Sequence, residues 1–125
     1  MAVIDDKLRD LEQRVAKIMQ MGGEEAVARQ HAASKLTARE RVAILFDVVD
    51  GRSTFVELMI HAHHTSESPM MAGRDTPADG CSAVTCCADG RPVAVIAYDF
   101  TVMAGSIGQN TEMKGHRLRE LALDR

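Results

Sequence analysis

The chain has 125 residues, 46% of them hydrophobic and 26% charged, which fits one globular domain and excludes a disordered segment. A formal net charge of −3, 3% aromatics and no Trp give no basic footprint or stacking platform for nucleic acid. No apolar run approaches the roughly 20 residues that span a bilayer, and "MAVIDDKLRDLEQR" lacks a signal peptide's apolar segment, so a cytoplasmic protein is expected.

In chain order, the first segment reads as a helix over roughly residues 3–20. Ile4, Leu8, Leu11, Val15 and Ile18 follow one another at spacings of 4, 3, 4 and 3, the seam of a coiled coil. The seam is too short for a free-standing coil, so it serves either as a helix laid across its own domain or as a pairing face for another chain. Gly22 and Gly23 end it. A second helix is expected from near Glu24 to around Ser34. "KLTARERVAILFD" opens a third, with Thr37 as N-cap and Glu40 completing a capping box.

"STFVELMI" (Ser53–Ile60) is expected as a strand, followed by the loop "HAHHTSESPMMAGRDTPADG". A structureless loop of that length is unusual inside a compact domain. "SAVTCCADGRPVAVIAYDF" predicts a hairpin turning at Asp89-Gly90. Its second arm is apolar on both faces, Val93, Val95 and Ala97 on one and Ala94, Ile96 and Tyr98 on the other, the pattern of a strand buried on both sides. After "DFTVMAGSIG", the segment "QNTEMKGHRLRELALDR" predicts a helix whose small face of Gly115, Leu118, Leu121 and Ala122 suits close packing.

Three constellations invite chemistry. The strand–turn–helix at Asp99–Gly108 could turn backbone N–H groups of Gly105, Ser106 and Gly108 toward a phosphate or thioester, or could be packing punctuation. His61, His63 and His64 with Cys81, Cys86 and Cys87 match no zinc spacing, and no metal site is assigned. The odd cysteine count, with two adjacent, fits a reducing compartment better than a disulfide framework. Arg39 with Arg41, and Arg117 with Arg119, stand two apart and so do not share one helix face.

Taken in order, "GGEEAVARQHAASKLTARERVAILFD", "FVEL", "ADG" and "DGRPVAVIAYDFTVMAGSIG" resemble the start of the biotin-dependent acyl-CoA carboxyltransferases, the β-type subunits of propionyl-CoA and acetyl-CoA carboxylases, with methylmalonyl-CoA decarboxylases among their relatives. The resemblance implies an α/β chain: N-terminal helices over 1–52, then over 53–125 the opening ββα portion of a crotonase-like fold. It also implies transfer of a carboxyl group between carboxybiotin on a separate carrier protein and the α-carbon of an acyl-CoA, through an enolate held by backbone N–H groups. The family's oxyanion-hole glycines have no counterpart here. A complementary chain or a continuation would supply them, and the chain alone would be inactive, with no catalytic residue of its own and no bound cofactor. Gly105, Ser106 and Gly108 are then expected on the CoA side, in a hetero- or homo-oligomer. Alternatives are an assembly module using the Ile4–Ile18 seam, part of a malonyl-type acyl-CoA decarboxylase, or a small zinc domain. The sequence departs from the family at Ala104, where glycine is usual, and at Ser34, in the longer turn "DVVDGRSTF", and in Cys81–Val84.

Overall fold

The structure is a computed structural model describing residues 1–125. Helix α1 runs Ala2–Met19, α2 Glu24–Ala32 and α3 Ala38–Leu45. Strands β1 (Val48–Val49) and β2 (Arg52–Ser53) form a small antiparallel ribbon. Strands β3 (Val56–Leu58), β4 (Cys81–Ala88) and β5 (Arg91–Tyr98) form an antiparallel sheet in that order, and α4 (Gln109–Asp124) follows.

Helix α3 starts where its chemistry dictates. Thr37 Oγ1 accepts from the Glu40 N–H at 3.2 Å, and the Thr37 N–H donates to Glu40 Oε2 at 2.7 Å, completing the expected capping box. His31 Nε2 stands 2.9 Å from both oxygens of Glu40, fixing α2 against this cap. The backbone bond to Thr37 and the His31 contact hold the Glu40 carboxyl below its ordinary range.

The hairpin turns at Asp89-Gly90 as its sequence requires, both residues at positive φ. Asp47 Oδ1 and Oδ2 accept from the Asp89 and Gly90 N–H groups at 3.1 and 2.8 Å, tying the turn to the end of α3. Val42, Val84 and Cys86 form the core on one face, with Phe46, Phe55, Val93, Val95 and Ala97 packed around them. On the other face α4 lies on the sheet, its Gly115 beside Ile96 and its Leu118 fully buried. Arg39 and Glu57, both partly buried, join α3 to β3 through paired bonds of 2.7 and 3.0 Å.

Two expectations are corrected. The strand Ser53–Ile60 is divided: the Thr54 N–H and hydroxyl both donate to the Asp47 carbonyl, so Thr54 and Phe55 leave the ladder, and Met59 at φ +55 ends β3. The strand buried on both sides is β4, whose first four residues are all buried, and not β5. Strand β5 has one neighbour, and the helices cover only part of its width, so its apolar residues stay half-exposed or exposed.

Packing separates two glycines that look alike in sequence. A Cβ at Gly22 would fall 1.8 Å from the Thr101 carbonyl oxygen, whereas at Gly115 it would meet first the flexible end of Arg119 at 3.2 Å. Gly22→Ala should therefore lower stability by about 2 kcal/mol or more, while Gly115→Ala should raise it by about 0.5–1 kcal/mol through helix propensity; urea melts of the two variants check both signs. The lowered Glu40 value predicts stability that is present above the ordinary carboxyl pKa and lost as pH falls through the lowered one. Stability of Glu40→Gln, which keeps the cap bond, should be flatter over that acid window.

Candidate functional site

Two left-handed turns meet at one end of the sheet. Ala78, Asp79 and Gly80 have φ of 52, 49 and 65° immediately before β4, and Met103, Ala104 and Gly105 have φ of 48, 54 and 72° between β5 and α4. Only glycine adopts that region freely, and other residues cost on the order of 1 kcal/mol each, so four of these six residues are strained. The turns are joined directly: the Asp99 N–H donates to the Gly80 carbonyl at 2.8 Å, and Val102 packs over Gly80.

What holds the first turn is a buried lysine. Lys114, 1% exposed, donates from Nζ to the carbonyls of Ala78 and Cys81 at 2.5 and 2.7 Å and makes no ion pair. Burial is the main cause that lowers its pKa, and burial likewise raises that of the neighbouring Cys81 thiol. The turn in its left-handed form aims Asp79 at the first turn of α4. There Asp79 Oδ2 accepts from the Thr111 N–H at 2.9 Å and the Thr111 hydroxyl at 3.0 Å. A Cβ at Gly108 would come within 3.2 Å of the same oxygen, so a side chain there would have to push the Asp79 carboxylate back by a few tenths of an ångström.

The N–H groups singled out in the sequence are therefore already engaged. Gly105 donates to Val102, Ser106 to Met103 and Gly108 to Thr111 Oγ1, and the Ser106 hydroxyl turns back onto the Met103 carbonyl. The positive end of α4 faces the chain's own carboxylate. Ser106 and Gly108 do line a cavity of about 400 Å³ with His64, Thr76, Asp79 and Gln109, while Gly105 lies behind them. His64 turns Nε2 to the Arg74 carbonyl at 2.9 Å, leaving Nδ1 buried in this wall without a partner. Ala104 adopts the left-handed conformation that explains why glycine is favoured at this position.

The long segment from His61 is pinned, not free. The His64 N–H donates to Thr76 Oγ1 at 2.7 Å, Asn110 Nδ2 donates to the His63 carbonyl at 2.6 Å, and a short 3-10 turn occupies Pro69–Met71. The three histidines and three cysteines do not converge: no group of three or more His, Cys, Asp or Glu side chains could share a metal ion. Asp79 and Lys114 were not singled out in the sequence, and His64 was weighed there only as a metal ligand. A left-handed Ala-Asp-Gly turn carries no periodic signal, and a lysine on a helix reads as solvated.

A strand hairpin followed by a helix laid on the sheet, with two left-handed turns at the strand ends, defines the opening ββα part of a crotonase-like α/β fold. Solved structures agree: transcarboxylase 12S, described as a hexamer with methylmalonyl-coenzyme A bound, matches 93% of this chain and 22% of its own at 34% identity and a TM-score of 0.85. A single-chain, multi-domain long-chain acyl-CoA carboxylase matches with a TM-score of 0.78 at 30% identity, covering 94% of this chain and 12% of its own. The carboxyl transferase domain model matches residues 29–125, and the chain belongs to that family. It is 40% identical to the propionyl-CoA carboxylase beta chain of Saccharopolyspora erythraea over 94% of its length, and 37% identical to the methylmalonyl-CoA decarboxylase subunit alpha of Veillonella parvula over 98%. It spans only 21 and 23% of those two relatives.

Asp79→Asn isolates the side chain from the backbone, because asparagine tolerates positive φ as well as aspartate does. It removes the charge facing α4 and places a donor against the Thr111 donors. A loss of about 2 kcal/mol is expected in a urea titration.

Proposed function

We propose that this chain is one component of an acyl-CoA carboxyltransferase, incomplete alone, that moves a carboxyl group between carboxybiotin and the α-carbon of an acyl-CoA. In that reaction the carbon–nitrogen bond to biotin breaks, the α-carbon forms the new carbon–carbon bond, and the displaced α-proton ends on the biotin ureido group. Carboxybiotin arrives on a separate carrier protein. The N–H groups that hold the enolate oxygen come from the polypeptide carrying the rest of the family's domain.

The observation that carries this reading is the strained pair of turns around the His64–Ser106–Gly108 cavity, in a chain whose relatives are named for carboxyl chemistry on CoA thioesters. Strain of this kind clusters where a ligand surface must be held in one shape. We assign Gly105, Ser106 and Gly108 to the acyl-CoA side as wall and turn; their N–H groups are spent on the chain itself. Decarboxylation of a malonyl-type thioester uses the same enolate, and the 37% identity to a methylmalonyl-CoA decarboxylase subunit favours keeping it as the second reading.

Native mass spectrometry of the chain purified gently from its source should find it with a larger polypeptide carrying the missing glycine motifs. Within that complex Ser106→Leu should raise the KM for acyl-CoA by about tenfold, the equivalent of 1.4 kcal/mol of lost binding, with assembly unchanged. An isolated chain without such a partner, or an unaltered KM, would count against the assignment.

A further inference from the structure

We propose that the first turns of α1 pair in parallel and in register with α1 of a second copy of this chain. Helix α1 has 18 residues and none is buried. Ile4 and Leu8 are 59 and 52% exposed, so the first part of the seam lies largely open. From Leu11 onward the seam turns to the chain's own body: Leu11 and Ile18 line the same groove as Pro77 and Ala78. Ile4 and Leu8 extend past it.

The charges beside the seam say what covers it. With Leu8 and Val15 at a and Ile4, Leu11 and Ile18 at d, positions e hold Asp5 and Glu12, and positions g hold Lys7 and Arg14. The outer charges are matched within the chain: Arg9 to Asp6 at 3.1 Å, Arg14 to Asp10 at 2.9 Å and Lys17 to Asp75 at 3.4 Å. Asp5, Lys7 and Glu12, which flank the uncovered part, take part in no ion pair.

In a parallel pair a g residue meets the following e residue of its neighbour, so Lys7 reaches Glu12 of the second copy, and symmetry makes the contact twice. An antiparallel pair would set Lys7 against Arg14 and Asp5 against Glu12, like charges throughout. One helix thus carries both halves of a complementary rim, which is the signature of a homotypic partner. Two heptads are too few for a free coil. Here the helix is held at its far end by Lys17–Asp75 and by the Gly22 N–H on Thr101 Oγ1 at 3.1 Å, so less ordering remains to be done on pairing.

Sedimentation velocity of the full chain over a concentration series tests this. A dimer is expected that Lys7→Glu and Glu12→Lys each weaken by about tenfold or more, that the double exchange restores, and that Leu8→Cys locks by a disulfide between like positions under mild oxidation. Circular dichroism of each variant separates lost pairing from lost helix. A monomer at every concentration, a dimer indifferent to the single charge changes, a double exchange that stays monomeric, or a seam filled only by a helix of another polypeptide would each overturn the proposal.

Discussion

The structure at the site end of the sheet depends on one ammonium group. Three consecutive left-handed residues, Ala78 to Gly80, present carbonyls that no helix or strand can satisfy, and they do so inside the protein. Lys114 reaches across from α4 and donates to two of the carbonyls that bracket the turn. Burying a lysine without a carboxylate is costly, and its lowered pKa measures that cost in direction. What offsets it is a bond to the Cys81 carbonyl, which if buried and unmet would forfeit about 1–3 kcal/mol, and a second bond to the Ala78 carbonyl, which also accepts from the Cys81 N–H.

From that turn the rest of the arrangement follows. Asp79 is delivered to the N-terminus of α4, where it takes the Thr111 N–H and hydroxyl and faces the helix dipole. Helix α4 is thereby fixed at its start by the residue before β4 and, through Lys114, one turn later by the same segment. The Asp99 side chain organises the opposite turn by accepting from the Thr101 N–H and hydroxyl at 2.9 and 2.6 Å. Thr101 in turn receives the Gly22 N–H, so the junction between α1 and α2 rests on the loop that precedes the cavity. The N-terminal helices and the site are mechanically one assembly.

Much of this fold could be read from the sequence, and the missed parts share a cause. The Thr37 capping box, the Asp89-Gly90 hairpin and α4 are written in local signals of turn chemistry and periodicity. The two faces of β5 were also legible, since Val93, Val95 and Ala97 do lie on the α3 side and Ile96 on the α4 side. How deeply each face is buried was not, because that depends on neighbours outside the strand. The family resemblance rested on "KLTARER" and "DGRPV…DFTV" and named the right class. The turn at Met103–Ser106 looked like an anion cradle because strand, glycine and helix start are the cradle's outward form. The helix N-terminus that follows it is occupied by Asp79, 32 positions before Thr111 in sequence, and no spacing rule connects them.

Strand β5 shows where the remaining stability must come from. From Val93 to Tyr98 its outer edge carries no charge and no proline, and a six-residue apolar edge without those guards is a template for another strand. Beside it, apolar grooves run along both faces, one between α3 and Val95–Tyr98 and one between Pro92–Ala94 and the end of α4. Only 18 of 125 residues are buried, and seven of them, Lys114 included, are polar or charged. With a lysine in its small interior and an apolar edge left open, the chain has apolar surface to offer another strand. The open edge of β5 leads directly into the loop that carries Ser106, so a strand added at that edge would also stiffen the cavity wall.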